Sequence, residues 1–479
     1  MIHLPVLAII TPLFCAFVLP LLNLVSGRAK QACVVVFATL QLAIVAMLIP
    51  RVAAEGMVEY HLGGWGPQIG IVLAVDGFSL LFAMLAAAGI WMVTLVSIEY
   101  TPRGEYRYFV LLFVVLAGIT GMFFTGDLFN LYVFFELASM AGFPLIAYAR
   151  TRNSVEAALR YMLYSTIASM FILIAIGLVY GATGTLNLRQ AAMGLAGADA
   201  VLRNVVLGLL LIGFAIKVAL VPFHAWLPEA HGSAPAPVSA LLSGVLLKTG
   251  VYAIVRLLAT LGPAEELARL NSVLLNLGTL SVVVGHFLAL GQGNFKKVLA
   301  YSSIAHIGIV MTGVGLGTVA GMAGALFHAV IHLFMKATAF HALGRMDMGR
   351  GFEANAMRGC GRRAPWTAAI FIISALSLIG LPPLAGFIGK WEVTLDALRG
   401  QYFLQALAIP LGTLLSAIYY ARMAQTMFDQ PDQPENQGPR GGPLTAIALT
   451  AGAAGCLLPF ACWAMLEPVV LYVAGIIRG

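Results

Sequence analysis

The sequence predicts an all-α polytopic membrane protein of about fourteen transmembrane helices, and two observations lead there. Of 479 residues, 61% are hydrophobic and only 10% are charged, against about 25% charged in soluble domains. The apolar residues also gather into segments near the roughly 20 residues that a helix needs to cross about 30 Å of hydrocarbon. Soluble, disordered and nucleic-acid-binding readings are excluded, despite a net charge of +7. An excess of Lys and Arg in such a chain reports topology rather than an acidic partner.

In order, the segments fall at 2–24, 32–50, 73–98, 108–126, 128–148, 160–180, 204–222, 235–258, 271–290, 299–317, 320–343, 366–390, 402–427 and 444–474. The first opens MIHLPVLAII, with no basic n-region, and reads as a retained span rather than a signal peptide. Spans four and five nearly fuse at Gly126-Asp127, where Asp127 reads as a helix cap, and spans ten and eleven nearly fuse at Gly317. The longer polar connections are 51–72, 181–203, 344–365 and 428–443. None is long enough for a soluble domain, so 1–479 reads as a single transmembrane domain. Its expected parts are three N-terminal helices (1–107), a first repeat (108–258), a second repeat (271–427) and a C-terminal helix (444–479).

The repeats are inferred from two helix breaks. Pro222, Pro228, Pro235 and Pro237 follow span seven, and Gly380, Pro382, Pro383 and Gly386 interrupt span twelve. Proline inside a helix removes a hydrogen bond and breaks the ladder. The breaks lie five spans apart. Five is odd, so spans 4–8 and 9–13 are expected to form two inverted five-helix repeats with broken helices 7 and 12. The cysteines, Cys15, Cys33, Cys360, Cys456 and Cys462, have no C-x-x-C spacing and read as small buried hydrophobes.

Placing the charges is informative because they are few. The odd-numbered loops hold Arg28, Lys30, Arg103, Arg107, Arg150, Arg152, Arg160, Lys296, Lys297, Arg345, Arg350, Arg358, Arg362, Arg363, Arg422 and Arg440. The even loops and termini hold only Arg51, Arg189, Arg203, Arg256, Arg269, Arg399 and Arg478. The positive-inside rule then puts the odd loops in the cytoplasm and both termini outside, in a multi-pass protein of the cell inner membrane.

Four basic residues remain, Lys217, Lys248, Lys336 and Lys390, all inside apolar spans and all lysine. Each costs about 2.5–3.5 kcal/mol to insert. Lys390, near its span end, is the one that snorkelling to an interface would explain. Burial lowers the pKa of lysine, so it can release and rebind a proton, whereas arginine stays charged. Buried lysines therefore suit proton relay better than cation conduction. Glu136, deep in span five between Phe135 and Leu137, needs a cationic partner, and Lys217 is the expected one. Asp76 lies nearer a span end. His286, His306, His328, His332 and His341 also fall in the spans, and His328, His332 and Lys336 share one helix face at i, i+4, i+8. A lysine on that face and the lack of a third nearby ligand argue against a metal there. A proton-carrying row fits better.

The stretches GDLFNLYVFFEL (126–137), KVALVPFHAWLPEAHGSAPAPVSALLSGVLLKTGVYAIVR (217–256), KKVLAYSSIAHIG (296–308), FHAVIHLFMKATAFHALG (327–344) and GLPPLAGFIGKW (380–391) resemble the antiporter-like subunits. These occur in Mrp-type multisubunit sodium/proton antiporters, respiratory complex I and membrane-bound hydrogenases. GDLFNLYVFFE is most similar to the D subunit of the Mrp type. The resemblance implies that Glu136 is the essential glutamate of the fifth helix and Lys217 the lysine of the broken seventh. It further implies that Lys248 bridges in the eighth, His306 belongs to the tenth, and His328, His332 and Lys336 form the polar axis of the eleventh. Lys390 would be the terminal ionisable group of the twelfth. The implied protein moves protons within a hetero-oligomeric membrane complex, with Na+ as a candidate second ion, no redox chemistry of its own and no cofactor or metal. Two assemblies remain open, a secondary cation/proton antiporter and the pump arm of a redox enzyme.

Overall fold

The computed structural model describes all residues except 1–2, 68, 102–104, 348, 431–440, 462 and 479. Arg103, Arg440 and Cys462 thus lie outside the described residues. Among the described residues, thirteen helices are long and apolar enough to cross a membrane. The remaining expected crossing, the twelfth, is two short helices, so fourteen crossings stand.

The chain begins with α1 (Leu4–Val25), α2 (Gly27–Ala46) and α3 (Ile49–Glu55). A hairpin follows, β1 (Met57–His61) paired antiparallel with β2 (Val72–Asp76). The segment 51–72, expected as a plain polar connection, thus contains a strand, and the expected start of span three at 73 falls inside β2. Then come α4 (Gly77–Tyr100), α5 (Tyr106–Phe124), α6 (Leu128–Ala147) and α7 (Arg152–Thr183). Helix α7, 32 residues long, begins earlier than expected because polar residues continue its first turns. A short amphipathic α8 (Leu188–Ala196) occupies the expected loop 181–203. The broken seventh span is α9 (Ala200–Lys217) and α10 (Trp226–Ser233). The eighth is α11 (Ala236–Leu241), a π-turn at Leu242–Leu246, and α12 (Leu247–Leu261). The second half holds α13 (Ala264–Leu290), α14 (Phe295–Gly315), α15 (Val319–Met346), a turn of helix α16 (Cys360–Arg363), α17 (Pro365–Ile379), α18 (Gly386–Arg399) and α19 (Phe403–Phe428). Finally α20 (Pro443–Ala461) and α21 (Trp463–Arg478) run antiparallel to α15. Gly452 lies against Thr338, Gly455 against Phe334 and Trp463 against Phe327, so the two make one crossing.

Polar side chains start many of these helices by accepting an orphan backbone N–H. Asp127 Oδ1 takes Asn130 N at 2.7 Å, the cap expected for it. Cys15, Cys33, Cys360 and Cys456 are free thiols.

The two faces of the bundle are distinct. One carries the hairpin, which is stitched to the α5–α6 turn by Gly126 N donating to Val72 O, and through Leu188 N and Gly126 O to α8. His3 Nδ1 lies 2.9 Å from Tyr60 Oη, so the N-terminus is on this hairpin face. Helix α21 runs toward it as well. The opposite face gathers the turns after α4, α6, α10, α13 and α15.

Repeat symmetry is visible residue by residue, with each partner 167 positions after the first. A Cβ on Gly118 would meet Ala138 N at 2.8 Å and Phe134 O at 2.9 Å; one on Gly285 would meet Ala305 N at 2.7 Å and Tyr301 O at 2.9 Å. Both helix pairs therefore pack backbone to backbone at a glycine. Asp127 and Asn294 cap α6 and α14. Thr151 and Thr318 cap α7 and α15. Gly184 and Gly351 both take positive φ, 69° and 88°.

Candidate functional site

The four expected lysines are all buried: Lys217 7%, Lys248 2%, Lys336 0% and Lys390 4% exposed. Lys217 closes α9, where the helix breaks. Its Nζ donates to Ser139 Oγ at 2.8 Å, Ser165 Oγ at 2.9 Å and Tyr161 Oη at 3.1 Å. It also faces the Phe135 ring at 4.6 Å. Burying an ammonium is tolerable only when its donors are used, and three hydroxyls from α6 and α7 use them.

The direct Glu136–Lys217 pair expected from the sequence is not formed. No ion pair joins them among the described residues. Glu136 accepts instead from Ser169 Oγ of α7. Glu136 and Ser139 are three residues apart on α6, and it is Ser139 that points inward to the lysine. Glu136 is half-buried, on a stripe with the exposed Phe129, Val133 and Met140. Serines of α6 and α7 thus lie between carboxylate and ammonium.

Beside Lys217, a cavity of about 10 Å³ is lined by Ser139 and Tyr161 of the cage and by Leu246, Leu247 and Thr249. That is room for about one water. The π-turn at Leu242–Leu246 places Lys248 next along, and Lys248 Nζ donates to Ser243 O at 2.6 Å. π-turns displace the backbone register and expose carbonyls. Its other contact is His332 Nδ1, at 2.6 Å.

From there a histidine file runs on. His306 Nδ1 lies 2.9 Å from His328 Nε2, and the His306 and His332 ring centroids are 5.1 Å apart. His286 packs against His306 at 6.3 Å and bonds Tyr419 Oη at 3.0 Å. His306 Nε2, His328 Nδ1 and His332 Nε2 find no partner among the described residues. A neutral imidazole donates from one nitrogen and accepts at the other, so each ring keeps one nitrogen without a protein partner among the described residues. Lys336 Nζ donates to Leu299 O at 2.9 Å and lies 3.5 Å from Tyr420 Oη.

Lys390 does not snorkel. Its Nζ donates to Leu378 O and Ile379 O, both at 2.9 Å, and lies 3.5 Å from Thr413 Oγ1. It caps the C-terminus of α17, where the helix dipole is negative. The broken twelfth span thus turns its lysine back onto its own break.

Several members of this arrangement escaped the sequence reading. Ser139, Ser165 and Tyr161 carried no charge to betray them. Lys296, counted there as a loop charge, is 2% exposed, donates to Ala234 O and lies 4.4 Å from the Phe352 ring. Arg256, counted likewise, is held by Asp76. The signal available for Arg256 was its position inside the apolar run 235–258, whereas Lys296, just before the run 299–317, offered none.

Residues 125–416 match the family model described as NADH:quinone oxidoreductase/Mrp antiporter, TM. The chain is 34% identical to the N subunit of the NADH-quinone oxidoreductase of Desulforudis audaxviator, over 89% of this chain and 86% of the relative. It is also 34% identical to the D subunit of the Na(+)/H(+) antiporter of Alkalihalophilus pseudofirmus, over 75% and 74%. Among solved structures, it resembles a chain of the membrane-bound sulfane sulfur reductase, an archaeal respiratory membrane complex. The TM-score there is 0.91 at 29% identity, covering 99% of this chain and 98% of that one.

Proposed function

The chain belongs to the NADH:quinone oxidoreductase/Mrp antiporter family of membrane subunits, and we propose that it is the proton-translocating subunit of a multisubunit sodium/proton antiporter. The observation that carries this reading is the row of buried titratable groups beyond the Lys217 cage, in which Lys248–His332 and His306–His328 lie at hydrogen-bond distance and the His332 and His306 rings are 5.1 Å apart between centroids.

In this reading Glu136 and Lys217 form a switch relayed through serines. Protonating Glu136 removes the charge that favours Lys217 in its ammonium form, and the lysine's proton passes to Lys248 by way of the small cavity. From Lys248 it enters the imidazole file at His332. His306, His328 and Lys336 carry it toward Lys390 at the second break. The half-exposed stripe around Glu136 is where a neighbouring membrane subunit acts on the switch. The positive-inside rule places the hairpin face outside and the opposite face in the cytoplasm of the cell inner membrane.

The likeness to an N subunit of NADH-quinone oxidoreductase and to a respiratory reductase favours a second reading, in which the same file is the pump arm of a redox complex. Co-purification separates the two: small membrane partners support the antiporter, and iron–sulfur or flavin partners the redox enzyme. For the shared mechanism, Lys217→Ala in the assembled complex, reconstituted in vesicles, is expected to abolish driven proton movement. Transport at the parent rate would overturn it.

A further inference from the structure

Lys248, Tyr252 and Arg256 follow one another at i, i+4, i+8 of α12, so they share one face. The row leads from the middle of the bundle toward the hairpin face over two turns, or about 12 Å. At its outer end lies a cavity of about 160 Å³, whose lining includes Glu59, Asp76, Asn187, Arg189, Tyr252 and Arg256. The transport file would therefore open to the hairpin side along this row unless something closed it.

Two layers do so. In the upper one, Arg256 Nη1 donates to Asp76 Oδ2 at 2.7 Å and Nη2 to Oδ1 at 2.6 Å, while Nε donates to Tyr252 Oη at 3.2 Å. Asp76 also caps α4 by accepting Ser79 N at 2.9 Å. Capping alone would not require a buried arginine. In the lower layer, Tyr252 stacks on Phe78 with centroids 5.0 Å apart, and Phe82 and Phe123 close its edges at 5.6 and 4.8 Å. The Tyr252 hydroxyl donates to Phe123 O at 2.8 Å, which turns its proton away from Lys248. A guanidinium stays charged and repels cations, and packed aromatic faces offer no hydrogen-bond chain.

We propose that the Asp76–Arg256 pair and the aromatic block of Phe78, Phe82, Phe123 and Tyr252 beneath it form a proton-tight plug that shuts Lys248 off from the hairpin-side cavity. This rests on the reading that Lys248 carries protons. The plug would give the first half of the molecule its sidedness, leaving exchange with the hairpin side to the second half.

The test uses the assembled complex in vesicles, with passive proton leak read from a trapped pH dye under an imposed potential. Arg256→Ala and Phe78→Ala are expected to raise the leak severalfold. Arg256→Lys, which keeps the charge but not the fork, should raise it less. Lys217→Ala should leave the leak at the parent level while stopping driven transport, so loss of the plug and loss of the transport reading are told apart. In the parent, Thr260→Cys beside the cavity should react with a small membrane-impermeant thiol reagent, and Thr249→Cys below the plug should not. A reactive Thr249→Cys overturns the plug even if no Arg256 variant assembles. So does a parent-level leak in assembled Arg256→Lys and Phe78→Ala complexes.

Discussion

The two halves of this molecule use one scaffold for two kinds of site. Around Lys217, the first half presents Ser139, Tyr161 and Ser165. At the positions 167 residues later, the second half presents His306, His328 and His332, which touch one another. Ser169, the partner of Glu136, corresponds to Lys336. Serine and tyrosine hydroxyls hold their protons at neutral pH, so the first cage concentrates charge on one lysine. Each imidazole has two ring nitrogens, one donor and one acceptor when neutral, so the second site offers several positions where a proton can sit. The breaks differ too. Lys217 ends the first part of its split helix, whereas Lys390 sits in the second part of its own and reaches back to cap the first. A duplicated frame thus keeps its backbone contacts while the chemistry at matched positions diverges.

The comparison is most exposed in transport. If charge is concentrated in the first half and distributed in the second, Lys217→Ala should abolish driven proton movement. His328→Gln should only slow it, since His306 and His332 stay in contact at 5.1 Å. Equal loss in both variants, measured at equal complex yield, would break the contrast. The frame itself is tested by stability. Gly118→Ala and Gly285→Ala each push a methyl into the facing backbone, and overpacking of this kind costs about 1–3 kcal/mol. Matched losses in thermal stability are expected; a loss at one glycine only would show the repeats to be packed differently.

The smallest effect concerns pH. Burial pushes the Asp76 carboxyl up, but the Arg256 guanidinium and the Ser79 donors outweigh it, leaving Asp76 below the usual carboxylate range. A carboxylate depressed in the folded state contributes stability above its unfolded pKa, about 3.9. That contribution is lost as pH falls through the lower folded value. The parent complex should therefore lose thermal stability below about pH 4, and Asp76→Asn should flatten that part of the curve while lowering stability at neutral pH.

Much of the frame was legible in the residues. Fourteen crossings and both broken helices follow from apolar run length and from Pro222, Pro382 and Pro383. The buried lysines and histidines stood out because charge is scarce. The hairpin was missed because Met57–His61 and Val72–Asp76 are short, and strand pairing is a long-range event. Direct contact between Glu136 and Lys217 is absent: charge complementarity names a partner without fixing which side of α6 faces α9.

Alone, the sequence determined what must be buried and where helices must break, since both depend on local composition and on the backbone chemistry of proline. It could not determine which side chains meet. Ser139, Tyr161 and Ser165 share no residue type with His306, His328 and His332, so only the packed bundle reveals them as counterparts. Nor could it turn Arg256 from a loop charge into half of a buried pair with Asp76, 180 residues away. Contacts between helices are settled by how whole faces interlock, and neither periodicity nor composition along one segment records the face it will meet.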